Sequence, residues 1–224
     1  MKVIPVIDLK GGYAVLARKG LRHTYAPLST PLCRDPDPCR VIEKMLDLYS
    51  FSTFYLADID ALIGESNQTK LITQLCRHFP SQTFWLDSGF LAQEPSEENI
   101  RPVVGSEYLT RADLKMLETK SGQFILSLDH QNGRFLGPSE IIKSPESWPR
   151  TIIWMDLSRV GSNEGPCPRG LMPSPEVLAG RHLIAAGGVR DDRDLLVLKA
   201  QGVKGVLVAS ALHSGHLSLA ALEE

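Results

Sequence analysis

No apolar run in the 224 residues approaches the roughly 20 residues a bilayer-spanning helix needs, so the sequence carries no membrane segment. The four cysteines, Cys33, Cys39, Cys76 and Cys167, show no CxxC spacing; they read as thiols of a reduced compartment rather than as a disulfide framework. An excess of positive charge is missing as well. The 24 Lys and Arg against 26 Asp and Glu leave a net charge of -2, which excludes the basic footprint of a nucleic-acid binder. The opening MKVIPVIDL is interrupted by Pro5 and Asp8 and does not read as a signal peptide. A cytoplasmic protein with one domain over residues 1–224 is expected, long enough for one sizeable core.

What the sequence does contain is a repeated alternation of strand-like and helix-like stretches. Its organising segment is Arg181–Ala211, in which the apolar run Leu183–Ala186 ends in Gly187-Gly188. Leu195, Leu196, Val197 and Leu198 follow as a helix, and a second run, Val206–Ala209, stops at Ser210. Earlier strands are expected at Val3–Asp8, Thr53–Asp58, Thr83–Leu86, Pro102–Val104, Phe124–Asp129 and Thr151–Asp156. Helices are expected over Asp35–Tyr49, Gln68–Phe79 and Ala112–Thr119, with about one helical turn near Ser96–Asn99. The third and fifth helical segments look clipped, which predicts a thinly covered wall and a homodimer that buries it. Eight alternations point to an α/β protein of parallel topology, a closed (β/α)8 barrel rather than an open sheet.

An internal repeat supports two half-barrels. VIDLKGG at 6–12 echoes SLDHQNG at 127–133, and the DID beginning at Asp58 echoes the DLS beginning at Asp156. DSGF at 87–90 echoes AGGV at 186–189, and VVGSEYL at 103–109 echoes LVASALH at 207–213. The repeat places Asp8 and Asp129 on opposite sides of one mouth, as candidate general acid and base. Small residues after the last two strands, Gly187, Gly188, Ala209 and Ser210, let a phosphate approach free backbone amides. The polar segment 13–35, which carries Arg18, Lys19, Arg22 and Arg34, could fold over an anionic substrate. His213 and His216 lack a third metal ligand nearby, and no metal or cofactor is expected. His130, next to Asp129 on an alternating strand, should point away from the mouth. Trp85, Trp148 and Trp154 read as core or helix-covering residues.

IPVIDLKGGYAV, SLDHQNG, DLSRVGSNEGP, IAAGGV and GVLVASAL together resemble the histidine-biosynthesis barrels (HisA/HisF type), over nearly the whole chain and nearest to the isomerase. The resemblance implies a ribulose-phosphate-binding barrel and an Amadori rearrangement, an aminoaldose becoming an aminoketose. That chemistry needs an acid to open a furanose ring and a base to take the C2 proton. Asp8 and Asp129 match the family's strand-end aspartates, Ser162 its loop-six threonine, and Gly187, Gly188, Ala209 and Ser210 its second-half phosphate site. The chain departs from the pattern at LDSGF after the third strand, at GSEY after the fourth, at Val160 and at Cys167.

These departures make the substrate's far end the open question. Asp87 and Glu107 stand where glycines and small neutral residues would hold a second phosphate. They are expected, with Arg18, to meet a neutral or cationic far end instead, unless Asp87 caps its own turn and Glu107 points to solvent or pairs with Arg111. The expected function is therefore a phosphosugar or sugar–heterocycle isomerase with a substrate other than the histidine-pathway bisphosphate. Alternatives are a lyase or synthase of a pterin- or furan-type cofactor pathway and a non-catalytic phosphate-binding barrel.

Overall fold

The computed structural model describes residues 1–89, 97–120 and 122–223. Eight parallel strands close on themselves: β1 (Lys2–Lys10), β2 (Thr53–Asp58), β3 (Thr83–Asp87), β4 (Ile100–Gly105), β5 (Ile125–Gln131), β6 (Thr151–Asp156), β7 (His182–Ala186) and β8 (Gly205–Val208), with β8 pairing back onto β1. Helices between them cover the outside, among them Pro38–Leu48, Thr69–His78, Leu114–Lys120 and Asp192–Ala200. This is the expected (β/α)8 barrel.

The period of two along each strand explains both layers of the core. Ile4, Tyr55, Val103, Ile125, Ile153, Ile184 and Leu207 point inward and pack on one another, with Val6 and Trp85 against them. Their neighbours Val3, Phe54, Phe84, Val104, Leu126, Ile152, Leu183 and Val206 face the helices. Asp8, Asp87 and Asp129 share the inward parity, so each stands above the inward residues of its own strand.

Register sets their heights. Asp8 is laddered through Ala57 and Asp87 to Val103. Gly105, two residues further, is laddered through Ser127, Ile153, Ile184 and Gly205 to Lys2. One circuit therefore descends eight residues, the stagger expected of this barrel. Corrected for that stagger, Asp8, Asp129 and Gly188 lie in one layer, with Asp87 one layer below. Asp8 and Asp129, on β1 and β5, are half a barrel apart.

Several boundaries differ from the sequence reading. Both aspartates lie short of their strand ends, because β1 and β5 continue into antiparallel hairpins. β1 pairs with Tyr13–Leu16 across Gly11-Gly12, and β5 with Arg134–Phe135 across Asn132-Gly133. All four turn residues have positive φ, from +52° at Asn132 to +87° at Gly12, as a two-residue hairpin turn matching the strand twist requires. Segment 13–35 is thus partly sheet. Its turn is tied down from below: Gly11 N donates to Asp60 Oδ2 at 2.9 Å and Gly12 N to Gln68 Oε1 at 3.1 Å.

The thin wall takes a different form from the one expected. The fifth helix is short, Ser139–Lys143, but Trp148 is buried beside it and donates from Nε1 to Ile141 O at 2.7 Å. One large side chain fills the space a longer helix would occupy. Among the described residues the exposed large apolar side chains are Tyr13, Leu21, Leu171, Val177, Leu196, Val197 and Leu219, none of them on this fifth helix. Most of the clipped third segment, including Phe90 and Ser96, lies outside the described residues.

Candidate active site at the barrel mouth

Above the inward aspartates a cavity opens at the barrel mouth. Asp8, Asp87, Arg22, Tyr55 and Asn163 line it, together with Gly187, Gly188, Ala209, Ser210 and His213. The Asp8 carboxylate accepts no hydrogen bond from a described residue and faces this space. Burial pushes its pKa up to about 7; Arg22 draws it down and Asp87 raises it further.

Asp129 is placed differently. It is buried and absent from the cavity wall, and it accepts from Ser127 Oγ at 2.5 Å, Ser106 Oγ at 3.4 Å and Glu107 N at 3.2 Å. Burial lifts its pKa to about 8, the Ser127 hydroxyl lowers it, and Asp87 and Glu107 raise it. Asp87 accepts a 2.6 Å hydrogen bond from Tyr55 Oη; burial brings its pKa to about 6 despite that bond. Three inward acids therefore titrate near neutrality, each principally because the barrel removes water from the charged form.

The second-half turn is built from backbone. Gly187 and Gly188 have φ of +100° and +84°, conformations that favour glycine. A Cβ on Gly187 would meet Asp156 O at 2.6 Å, and one on Gly188 would collide with Gly165 O. Arg159 holds this loop in place, bonding Asp156 Oδ2 at 3.1 Å and Gly165 O at 2.9 Å. Among the described residues nothing accepts from the amides of Gly188 and Ser210, both of which border the cavity. His213 also borders it. Burial lowers its pKa to about 4, so it is neutral near pH 7, and its Nδ1 lies 3.3 Å from Thr30 Oγ1. His216 is exposed and bonds Ser214, so the two histidines do not converge.

The first half has the same turn, with the Gly89 amide already used. Gly89, the counterpart of Gly188, has φ +85°, yet its N–H donates to Asp87 Oδ1 at 3.3 Å. The amide of Glu107 donates to Asp129. Where the second half leaves the Gly188 amide open, the first half fills that of Gly89 with its own carboxylate.

The remaining sequence candidates are distributed as follows. Arg18 is exposed and outside the cavity wall; Arg22, four residues on, is the loop arginine at the site. Arg22 Nη2 pairs with Glu107 Oε1 at 2.5 Å, and its guanidinium lies 5.9 Å from the centre of the Tyr108 ring. Arg111 instead pairs with Glu140 at 2.9 Å. Ser162 is half-buried off the cavity, its Oγ accepting from Glu164 N at 3.2 Å, while its neighbours Gly161 and Asn163 face inward. Cys167 is buried in the outer core. His130 points outward and stacks on Trp154, with centroids 4.0 Å apart. Sequence reasoning missed Tyr55 and Asn163; the inward parity of β2 could have found Tyr55.

Gly188 is the first residue in this turn to probe with a bulky side chain, provided the fold survives it. The Gly165 carbonyl rules that out, because loop six must move to admit any Cβ. The cleaner probe is Ser210→Glu, at an exposed position. A carboxylate about 4 Å from a bound anion repels it by roughly 1–4 kcal/mol. Affinity for inorganic phosphate or a pentose phosphate, read by calorimetry, is therefore expected to fall at least about fivefold. Unchanged affinity would remove phosphate from this turn.

Fold and site together define a (β/α)8 barrel whose mouth joins buried acids to an open backbone turn. The chain belongs to the histidine biosynthesis protein family, whose model matches residues 2–218. It is 30% identical to the uncharacterised protein MJ0703 of Methanocaldococcus jannaschii, over 98% of this chain and 96% of that one. It is 27% identical to the 1-(5-phosphoribosyl)-5-((5-phosphoribosylamino)methylideneamino)imidazole-4-carboxamide isomerase of Campylobacter hominis, over 98% and 97%. The enzyme of the same name from Thermus thermophilus is 26% identical, again over 98% and 97%. Among the described residues no helix is long and apolar enough to cross a membrane.

Proposed function

We propose that the protein is an isomerase that converts a phosphorylated aminoaldose to the aminoketose, with one phosphate on the second-half turn and a neutral or cationic group at the far end. Asp8, ionised over half its population just above pH 7, is the base for the C2 proton. Asp129, which keeps its proton to about pH 8, is the acid that opens the sugar ring. To act, it has to exchange its bonds to Ser127 and Ser106 for one to the substrate. Gly187, Gly188, Ala209 and Ser210 take the phosphate.

The observation that carries the single-phosphate reading is the occupied first-half turn, where Asp87 and Asp129 hold the amides of Gly89 and Glu107. Glu107 already neutralises Arg22, the one cationic side chain among the described residues lining the cavity. A second phosphate dianion would face Asp87 without a free cation. An amine, hydroxyls or an amino-substituted heterocycle would find acceptors there.

The test is to offer the bisphosphorylated carboxamide substrate of the named relatives. Turnover at the level of the uncatalysed rearrangement is expected, with a monophosphorylated aminosugar binding in its place. Efficient isomerisation of the bisphosphate would overturn the substrate assignment while leaving the acid–base pair standing.

A further inference from the structure

Outside the mouth, three side chains of different donor chemistry meet on the barrel's outer wall. Cys39 and Glu43 stand one turn apart on the helix Pro38–Leu48, and His78 ends the helix Thr69–His78. Glu43 Oε1 lies 3.9 Å from Cys39 Sγ and 3.9 Å from His78 Nε2, and all three donor atoms fall within 4.8 Å of one another. No other such group of three occurs among the described residues. We propose that Cys39, Glu43 and His78 bind a borderline-soft divalent cation of the zinc class, with water completing a four-coordinate shell.

The donor set is the first argument. One sulfur, one imidazole nitrogen and one carboxylate oxygen form a mixed set that zinc accepts, whereas magnesium and calcium select oxygen alone. Geometry is the second. Metal–sulfur bonds of about 2.3 Å and metal–nitrogen or –oxygen bonds of about 2.0–2.1 Å, at tetrahedral angles, place donors roughly 3.3–3.6 Å apart. The three atoms must therefore close by an ångström or so at most, which side chains at a half-open surface can do by small rotations. The third argument is the use of Glu43. Its second oxygen, Oε2, accepts from Arg40 Nη1 at 2.9 Å, which orients the carboxylate and leaves Oε1 turned toward Cys39 and His78.

Binding has to displace the Cys39 thiol proton and should tighten as pH rises. A cation here would clamp the first two outer helices together, on elements that take no part in lining the cavity.

The experiment uses the full chain without a polyhistidine tag and Co²⁺ as a coloured probe. One equivalent is expected to bind with a thiolate-to-metal charge-transfer band and to be displaced by Zn²⁺. Zn²⁺ should also raise the melting temperature of the parent chain in a concentration-dependent way. Cys39→Ser and His78→Ala should each weaken binding at least about tenfold and abolish the melting shift. Cys39→Ser should also remove the charge-transfer band. Binding that survives either substitution, or no charge-transfer band with the parent chain, overturns the proposal.

Discussion

Asp8→Asn is expected to lower turnover by about 10²–10⁴-fold, the usual contribution of a positioned acid or base. The substitution removes the titrating group while keeping nearly the same volume, and Asp8 has no hydrogen bond to a described residue that the amide would break. Affinity for a pentose phosphate should therefore change little, because the phosphate turn belongs to β7 and β8. The pH profile supplies a second readout. A base with a pKa of about 7 makes kcat/KM rise through neutrality, and an acid with a pKa of about 8 makes it fall above that, so the parent profile should be a narrow bell. Near-parental turnover in the Asn variant would make Asp8 a structural residue.

The second large effect is on stability, and it has a sign that can be worked out. Asp8, Asp87 and Asp129 each have a folded pKa raised above the ordinary 3.8, so the native state holds protons that the unfolded chain has released. Their favourable contribution is complete below about pH 4 and is lost as pH rises through 6, 7 and 8. His213 acts in the opposite direction. Its depressed value, about 4, means stability is lost as pH falls from 6.5 towards 4. Stability from these groups should therefore be greatest near pH 4, where three acids outweigh one histidine, and fall by on the order of 3 kcal/mol between about pH 6.5 and 8.5, the larger part from Asp129. Asp129→Asn, which cannot ionise but still accepts from the Glu107 amide, should flatten that decline and be more stable than the parent chain at high pH. Urea unfolding at the two pH values measures both. A parent chain as stable at pH 8.5 as at 6.5 would contradict the burial argument.

Much of this protein was legible in the sequence because the barrel's local rules are short-range. Period-two alternation marks which residues point inward, so Asp8 and Asp129 could be placed from their distance to Ile4 and Ile125 alone. Gly11-Gly12, Asn132-Gly133 and Gly187-Gly188 announce positive-φ turns because few other residues adopt them. The matching segments of the two halves carried the closed barrel.

The tertiary structure decided what depends on stagger and on contacts distant in sequence. Arg22 rather than Arg18 reaches the site because the β1 hairpin turns the loop there, and its partner Glu107 is 85 residues away. The stagger of the ladder puts Asp87 one layer below Asp8 and Asp129, from where it raises the pKa of both. Asp87 and Asp129 occupy the first-half amides because the barrel brings β3, β4 and β5 side by side. Trp148 fills the wall beside a five-residue helix, which composition alone could not foretell. A sequence specifies each strand's inward face through its own alternation; which inward residues meet is set only when eight strands close with one stagger.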